Sequence, residues 1–383
     1  MAASFKHFDL KLISPNFDSN LTDTLIQLDH LRKLQLSGTT PPWTFFQLKE
    51  IFHLFESVGS ARIEGNRTTV AEYVEQKIDK KERSLERFAE IDNGERAMTY
   101  IEENIKEGSK ITHRFIRELH HLAVESLDER EEGDKTPGAY RTWEVTISKS
   151  SHIPPKHHLV PTYMDELISF VNNKDPEKYD LIKTAIAHHR FTWVHPFGNG
   201  NGRVVRLLTY ALLIKYGFNV HKGKLLNPTA VFCNDRDLYY EMLAKADLGA
   251  DNKILEWCEY VLKGILDEIV KLNKLTDYAY LSKNILIPAV DFGRERGYLN
   301  KEESDTLKRG IEIADFKASD LDKCLKGLTS RQRIHLISKL KSHDFIRPHK
   351  ENGRIYFVNF MNNYLMRGLV RVLEKEGFIP NID

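Results

Sequence analysis

Cysteine is scarce in this chain: three in 383 residues, Cys233, Cys258 and Cys324, scattered and without C-x-x-C spacing. That excludes a disulfide framework and a cysteine-built zinc site, and it fits a reducing cytoplasm, the compartment expected. No run approaches the roughly 18 apolar residues of a membrane span. Met1 to Ser14 also lack the apolar core of a signal peptide, so no membrane partner is expected. Charge of one sign is missing as well. Lys+Arg 56 against Asp+Glu 55 leave a formal +1, so overall charge argues for neither nucleic acid nor membrane, though a local patch can. What is there, 41% hydrophobic and 29% charged residues, reads as globular with room for two or three domains.

The most loaded stretch is His195-Pro196-Phe197-Gly198-Asn199-Gly200-Asn201-Gly202-Arg203-Val204-Val205-Arg206. Glycines at this density let backbone N–H groups turn inward as an anion nest, and a helix opening near Arg203 adds a partial positive end. Arg203 and Arg206 are three apart and can face one anion. His195 beside the nest is a candidate general base. The bland alternative, a glycine-rich turn with a surface histidine, leaves this combination unexplained. The run after it, Val204 to Lys215, is apolar nearly all round and predicts a buried central helix.

Upstream, periodicity predicts a helix from about Asp23 to Gln35, a loop at 37–42, and a helix after Pro42 leading into Ser60-Ala61-Arg62-Ile63-Glu64-Gly65. Ser60 and Glu64 are one turn apart and Gly65 is a natural stop. A helix capped by Thr68 or Thr69 and a charged helix over 81–108 follow. Ile111, Phe115, Ile116, Leu119 and Leu122 repeat at helical spacing, with His113, His120 and His121 read as structural. Residues 134–138 predict a turn, 139–147 alternate in places as a short strand would, and 148–152 form a polar turn. Helices are expected at 162–173 and 176–193. His188 and His189 lack i,i+4 spacing and are read as packing rather than metal ligands. Tyr239 and Tyr240 fall in a helix ending near Leu248, and a helix over 252–274 follows. Beyond Asp277 the character changes: residues 321–358 carry nine Lys/Arg against three acids. A helix capped by Thr329 and a hairpin turning at Asn352-Gly353 are expected there.

The His195–Arg206 stretch resembles the signature of the Fic family, H-x-F-x-[D/E]-G-N-G-R-x-x-R, with one departure at Asn199. The resemblance implies AMP transfer from ATP to a Ser, Thr or Tyr hydroxyl of a target protein. His195 would be the base, and Gly198, Gly200, Asn201, Gly202, Arg203 and Arg206 would bind the phosphates. Ser60, Glu64 and Gly65 match the family's inhibitory pattern [S/T]-x-x-x-E-[G/N]; a glutamate there would form a bidentate ion pair with Arg206. Residues 137–147 resemble the lead into a hairpin flap that docks the target along Val145, Thr146, Ile147 and Ser148. Tyr239 and Tyr240 would line the adenine pocket, while Asp247 falls where some relatives carry an asparagine. Asn199 stands where the family holds Mg²⁺ with an acid, and an amide oxygen binds a hard cation more weakly than a carboxylate. Weaker metal binding, a changed nucleotide or reaction, and impaired catalysis all stay open, the intact base and arginines favouring the first.

The expected fold is therefore mainly α: a Fic-type helical bundle with a β-hairpin flap, plus a C-terminal winged helix-turn-helix domain. The divisions expected are 1–108, 109–275 and 276–383. Self-modification, removal of AMP and a homodimer remain open. So does the alternative of a DNA-binding regulator, contacting DNA through 321–358, whose Fic core only senses nucleotide.

Overall fold

The computed structural model of the chain describes residues 5–33, 38–79, 86–147, 150–218, 228–322 and 325–379; Ser148 and Cys324 lie outside them. The chain divides into two compact units rather than three consecutive ones. The first comprises 1–36, 52–68 and 82–270, and the second 37–51, 69–81 and 271–383, so the N-terminal hundred residues are shared between them.

In the first unit, α1 (Asn20–Lys33), the second half of α2 (Pro42–Glu64), α4 (Glu86–Asn104) and α5 (His113–Val124) precede the site; α3 (Val70–Asp79) belongs to the second unit. Then come α6 (Val160–Asn172), α7 (Asp180–Val194), α8 (Asn201–Lys215), α9 (Thr229–Asn234), α10 (Arg236–Ala246) and α11 (Asp251–Asn273). Every residue of α8 except Gly202 is buried, as its all-round apolar sequence requires, and α8 packs on α4, α5 and α7. The helix N-terminus that carries the glycines is thus seated on the most enclosed element of the unit. Trp193, Trp257 and Phe191 fill the surrounding core.

The 139–147 segment, expected to form a strand, forms none: it is irregular, with bends at 139 and 142–143 and no ladder to another strand among the described residues. Its exposure alternates: Trp143, Val145 and Ile147 are half-buried, and Thr142, Glu144 and Thr146 exposed. The reason is local. Arg141 spends its guanidinium on the carbonyls of Trp143, Pro155 and His195, which ties this arm to the end of α7. On the returning arm, Pro154 and Pro155 offer no N–H to a ladder.

In the second unit, α13 (Ile287–Glu295) packs on α16 (Asn363–Lys375), with α12 (Tyr278–Leu281) and a π-helical turn before it. α14 (Lys301–Ile313) and α15 (Ser330–Ser342) start on capping boxes from Asn300 and Thr329. β1 (Ile346–Pro348) and β2 (Tyr356–Val358) pair antiparallel, Arg347 opposite Phe357. The turn is wider than the two-residue Asn-Gly turn expected, because only Asn352 is left-handed and the Gly353 N–H closes onto Lys350 O.

Candidate active site

The site forms where α7 ends and α8 begins. His195 terminates α7 in the left-handed region (φ 51°, ψ 60°), a conformation that costs a non-glycine residue on the order of 1–2 kcal/mol. Arg141, itself 2% exposed, holds it there through Nε to His195 O (2.8 Å) and its own N–H to Pro196 O (2.9 Å). Burial, with the Arg141 guanidinium close by, pushes the His195 imidazole down to about 4. At neutral pH the ring is uncharged and able to accept a proton.

The loop that follows is braced from within. Phe197 stacks on His120 with centroids 3.8 Å apart and planes 5° from parallel. His120 Nδ1 accepts the Gly138 N–H (2.9 Å), so its proton sits on Nε2, facing Asn199 O at 3.2 Å. Asn201 closes a two-way pair with Phe197: Oδ1 accepts its N–H and Nδ2 donates to its carbonyl. Its carboxamide is therefore a brace and not a phosphate ligand. Gly198 admits no side chain, since a Cβ would lie 2.6 Å from the Trp143 ring and 2.8 Å from Asp134 Oδ2. Gly200 (φ +72°) is the left-handed N-cap of α8, and no side chain caps that helix. The first amides of α8, from Asn201, Gly202 and Arg203, are therefore left without a side-chain cap, the condition an anion-binding helix end requires. The Gly200 N–H is excluded from the nest because Asn199 Oδ1 takes it at 2.7 Å.

Arg206 meets the α2 helix. Its Nε donates to Ser60 Oγ (2.8 Å), and Nη2 donates to Ser60 O (3.0 Å) and to Glu64 Oε1 (2.7 Å). The bidentate pair expected is thus a fork shared between Ser60 and Glu64. Glu64 also lies over the start of α8, since a Cβ on Gly202 would fall 2.1 Å from Glu64 Oε1. Burial alone would push the Glu64 carboxyl up; Arg206, with Arg203 and Arg236, holds it below its ordinary range. Gly65, at φ +119°, ends α2 as a stop requires.

Arg203, expected beside Arg206 on the phosphates, is occupied elsewhere. Nη1 donates to Ala123 O and Nη2 to Glu132 O (2.6 Å), with the Glu90 and Glu132 carboxylates at 3.4 and 3.2 Å. Burial pushes Glu90 up to about 7 and raises Glu132 despite Arg203.

The tyrosine pair separates. Tyr239 is 2% exposed, bonded to His188 Nε2 (2.9 Å) and packed on Phe232, so it is core and not a stacking platform. Tyr240 is 38% exposed, with its hydroxyl 3.4 Å from Ile63 O on the last turn of α2. Asp247 bonds His189 at 2.9 Å, which leaves both adjacent histidines as packing and hydrogen-bonding groups. Among the described residues no cluster of three His, Cys, Asp or Glu could hold a metal ion.

For the magnesium expected at Asn199 the donors do not fit. Its Nδ2 donates to Glu131 O (2.9 Å) and Gly133 O (3.0 Å), which turns the neutral Oδ1 onto the Gly200 N–H. Sequence reasoning undervalued three residues here: Arg141, His120 and Asp134. Asp134 accepts from Asn199 N–H at 2.7 Å and from Thr136, and its carboxyl lies at about 2 despite burial, held down by His120 and the backbone amides of Thr136 and Asn199. The Asp134-x-Thr136 pattern before Pro137-Gly138 was the available signal for the last.

Residues 110–213 match the model of the Fic/DOC family. A protein named "Protein adenylyltransferase Fic" from Nematostella vectensis is 27% identical over 256 residues, 65% of this chain and 52% of that protein. One of the same name from Aedes aegypti is 29% identical over 204 residues, 52% and 37%. The chain thus spans about half or less of the length of these curated relatives. Among solved structures, a Fic family protein from Desulfovibrio desulfuricans covers 89% of this chain and 95% of its own at 19% identity, with a TM-score of 0.54. A Fic-domain signalling protein from Bacteroides thetaiotaomicron covers 67% and 97% at 19% identity, with a TM-score of 0.53. These two establish likeness of fold.

Proposed function

We propose that this chain, a Fic-domain protein, is a protein adenylyltransferase that transfers AMP from ATP to a Ser, Thr or Tyr hydroxyl and is held inactive by Glu64. One observation carries the reading: Arg206 is bound by Ser60 and Glu64 directly over the uncapped start of α8. An anion site with a base beside it and an internal carboxylate across it is an arrangement suited to phosphate and closed to it.

In the reaction, neutral His195 takes the proton of the target hydroxyl as its oxygen attacks the α-phosphorus. The bond from that phosphorus to the β-bridging oxygen breaks, and diphosphate leaves. The amides at the start of α8 face the anionic oxygens, and Arg206, released from Glu64, takes the terminal phosphates. Magnesium has no suitable ligand in Asn199 as it is bonded here, so no step is assigned to it. Tyr240, rather than Tyr239, is the candidate wall for the adenine. The 144–147 arm, which belongs to no strand among the described residues, leaves Val145, Thr146 and Ile147 as the candidates for pairing with a target segment added as a strand; Ser148, the fourth residue of the expected flap, lies outside the described residues. Self-modification, removal of AMP by the same site and a homodimer stay open beside this reading, which expects a cytoplasmic setting. No helix of the described residues is long and apolar enough to cross a membrane, and Cys233 and Cys258 are free thiols.

Incubation with labelled ATP tests it. Self-labelling should rise in Glu64→Gly and fall at least about a hundredfold in Glu64→Gly/His195→Ala, the usual scale for a lost general base. Absence of label from both wild type and Glu64→Gly, with or without divalent metal, would refute it.

The second reading, DNA binding through a winged-helix-like module of α14, α15 and the hairpin, rests on the basic 321–358 segment. There Arg333, Lys339 and Arg347 are already paired with Asp322, Glu303 and Asp344, and among the exposed cations that remain, Arg331 and Lys341 on α15 are the candidate phosphate contacts, with Lys326, Lys350 and Arg354 in the same segment. Salt-dependent duplex binding lost in Arg331→Ala/Lys341→Ala would support it.

A further inference from the structure

We infer that Asn199 is a positioning residue: a clasp that locks the 128–136 loop onto the start of α8, a task that requires an amide and that a carboxylate cannot perform. Four consecutive loop residues are bonded to the signature segment. The carbonyls of Glu131 and Gly133 accept from Asn199 Nδ2, at 2.9 and 3.0 Å. The carbonyl of Glu132 between them accepts from Arg203 Nη2 at 2.6 Å, and Asp134 Oδ2 accepts the Asn199 N–H at 2.7 Å. The other end of the same carboxamide accepts the Gly200 N–H at 2.7 Å. One side chain thus joins loop to helix cap with every polar atom used.

The chemistry of the amide is decisive. Asparagine offers two N–H donors and an acceptor, and both loop partners are carbonyls that only accept. An aspartate would set a negative charge against two carbonyl oxygens and close to the buried, ionised Asp134. The same loop holds Arg203, so the clasp fixes the first arginine as well as the N-cap. Asn199 therefore acts through Gly200 and Arg203. The contrast with a metal ligand is sharp: a ligand role predicts that Asn199→Asp improves the site, and a clasp predicts that it opens the loop.

The inference uses the proposed activity only for its consequence on nucleotide, and its primary readout is independent of catalysis. Arg130 and Lys135 are exposed within the loop and are the trypsin reporters. Limited trypsin digestion of the full chain, with chelator and with Mg²⁺, should cut after Arg130 or Lys135 about tenfold faster in Asn199→Asp than in wild type, from the loss of two hydrogen bonds. Mg²⁺ should not restore protection. Asn199→Asp cut no faster than wild type, or protected selectively by Mg²⁺, would overturn the clasp. Should Asn199→Asp fail to fold, Asn199→Ala adds no charge, and hydrogen exchange over 131–136 must accelerate in it; unchanged exchange overturns the proposal equally. In the Glu64→Gly background, both variants should raise KM for ATP more than they lower kcat; a fall in kcat alone would contradict positioning through Gly200 and Arg203. Loss of label in every variant would count against the transferase reading, while the digestion result would still decide the clasp.

Discussion

Arg203 and Arg206 stand three residues apart on one helix, and their surroundings differ in kind. Arg203 is held by two backbone carbonyls, from Ala123 and Glu132, with Glu90 and Glu132 near it. Arg206 is held by one serine and one glutamate of α2, a helix more than a hundred residues earlier in the chain. Carbonyls bound to Arg203 can be released only by moving the loop and helix end that carry them. The partners of Arg206 can withdraw by moving the end of a single helix. Arg203 is thus a brace, and on the proposed reading Arg206 is a gated ligand, although the motif presents them as equals.

That difference can be broken experimentally, beginning with the largest effect. Arg203→Ala leaves the Ala123 and Glu132 carbonyls and the buried Glu90 carboxylate without their cation and should cost about 3 kcal/mol or more in urea unfolding. Arg206→Ala should cost about half as much, since Glu64 (27% exposed) and Ser60 can turn to water. Equal losses would erase the distinction between brace and gate. Ser60→Ala removes one arm of the fork and should tighten ATP binding about threefold to tenfold, by loss of roughly one hydrogen bond to a charged group; weaker binding would show that Ser60 supports the arginine rather than restraining it.

The smallest effect is in pH dependence. Glu90, beside Arg203, is pushed up to about 7, so the unfolded carboxyl ionises first. Its contribution to stability is full below about 4.5 and is lost as pH rises through about 7. Glu90→Gln should flatten that decline in unfolding measurements between pH 5 and 8. Glu64, held low by Arg206, should leave the same range unaffected when replaced. A steeper decline in Glu90→Gln would reverse the assignment.

How much of this was legible depends on whether the information is local. The pairing of Glu64 with Arg206 was readable because each lies in its own short pattern, and α8 because the run from Val204 to Ile214, broken only by Arg206 and Thr209, leaves no other place for it. The role of Arg203 was not readable, since its acceptors are main-chain oxygens that any residue could supply. Tyr239 and Tyr240 are adjacent and chemically alike, and only the packing of α10 on Phe232 and His188 decides that one is core and the other open. The 139–147 arm shows alternation without a ladder, because alternation reports burial on one side and not a hydrogen-bonded neighbour. His120 looked like one more helical histidine; its stacking on Phe197 exists only after α5 and the glycine loop meet.

The most direct test is the dissociation constant of ATP measured by calorimetric titration for wild type and Glu64→Gly. Removing the carboxylate from Arg206 and from the start of α8 should tighten binding about tenfold or more, the scale of one close, partly buried charge contact. An unchanged constant, with both proteins folded, would mean that Glu64 rests on the arginine without guarding it.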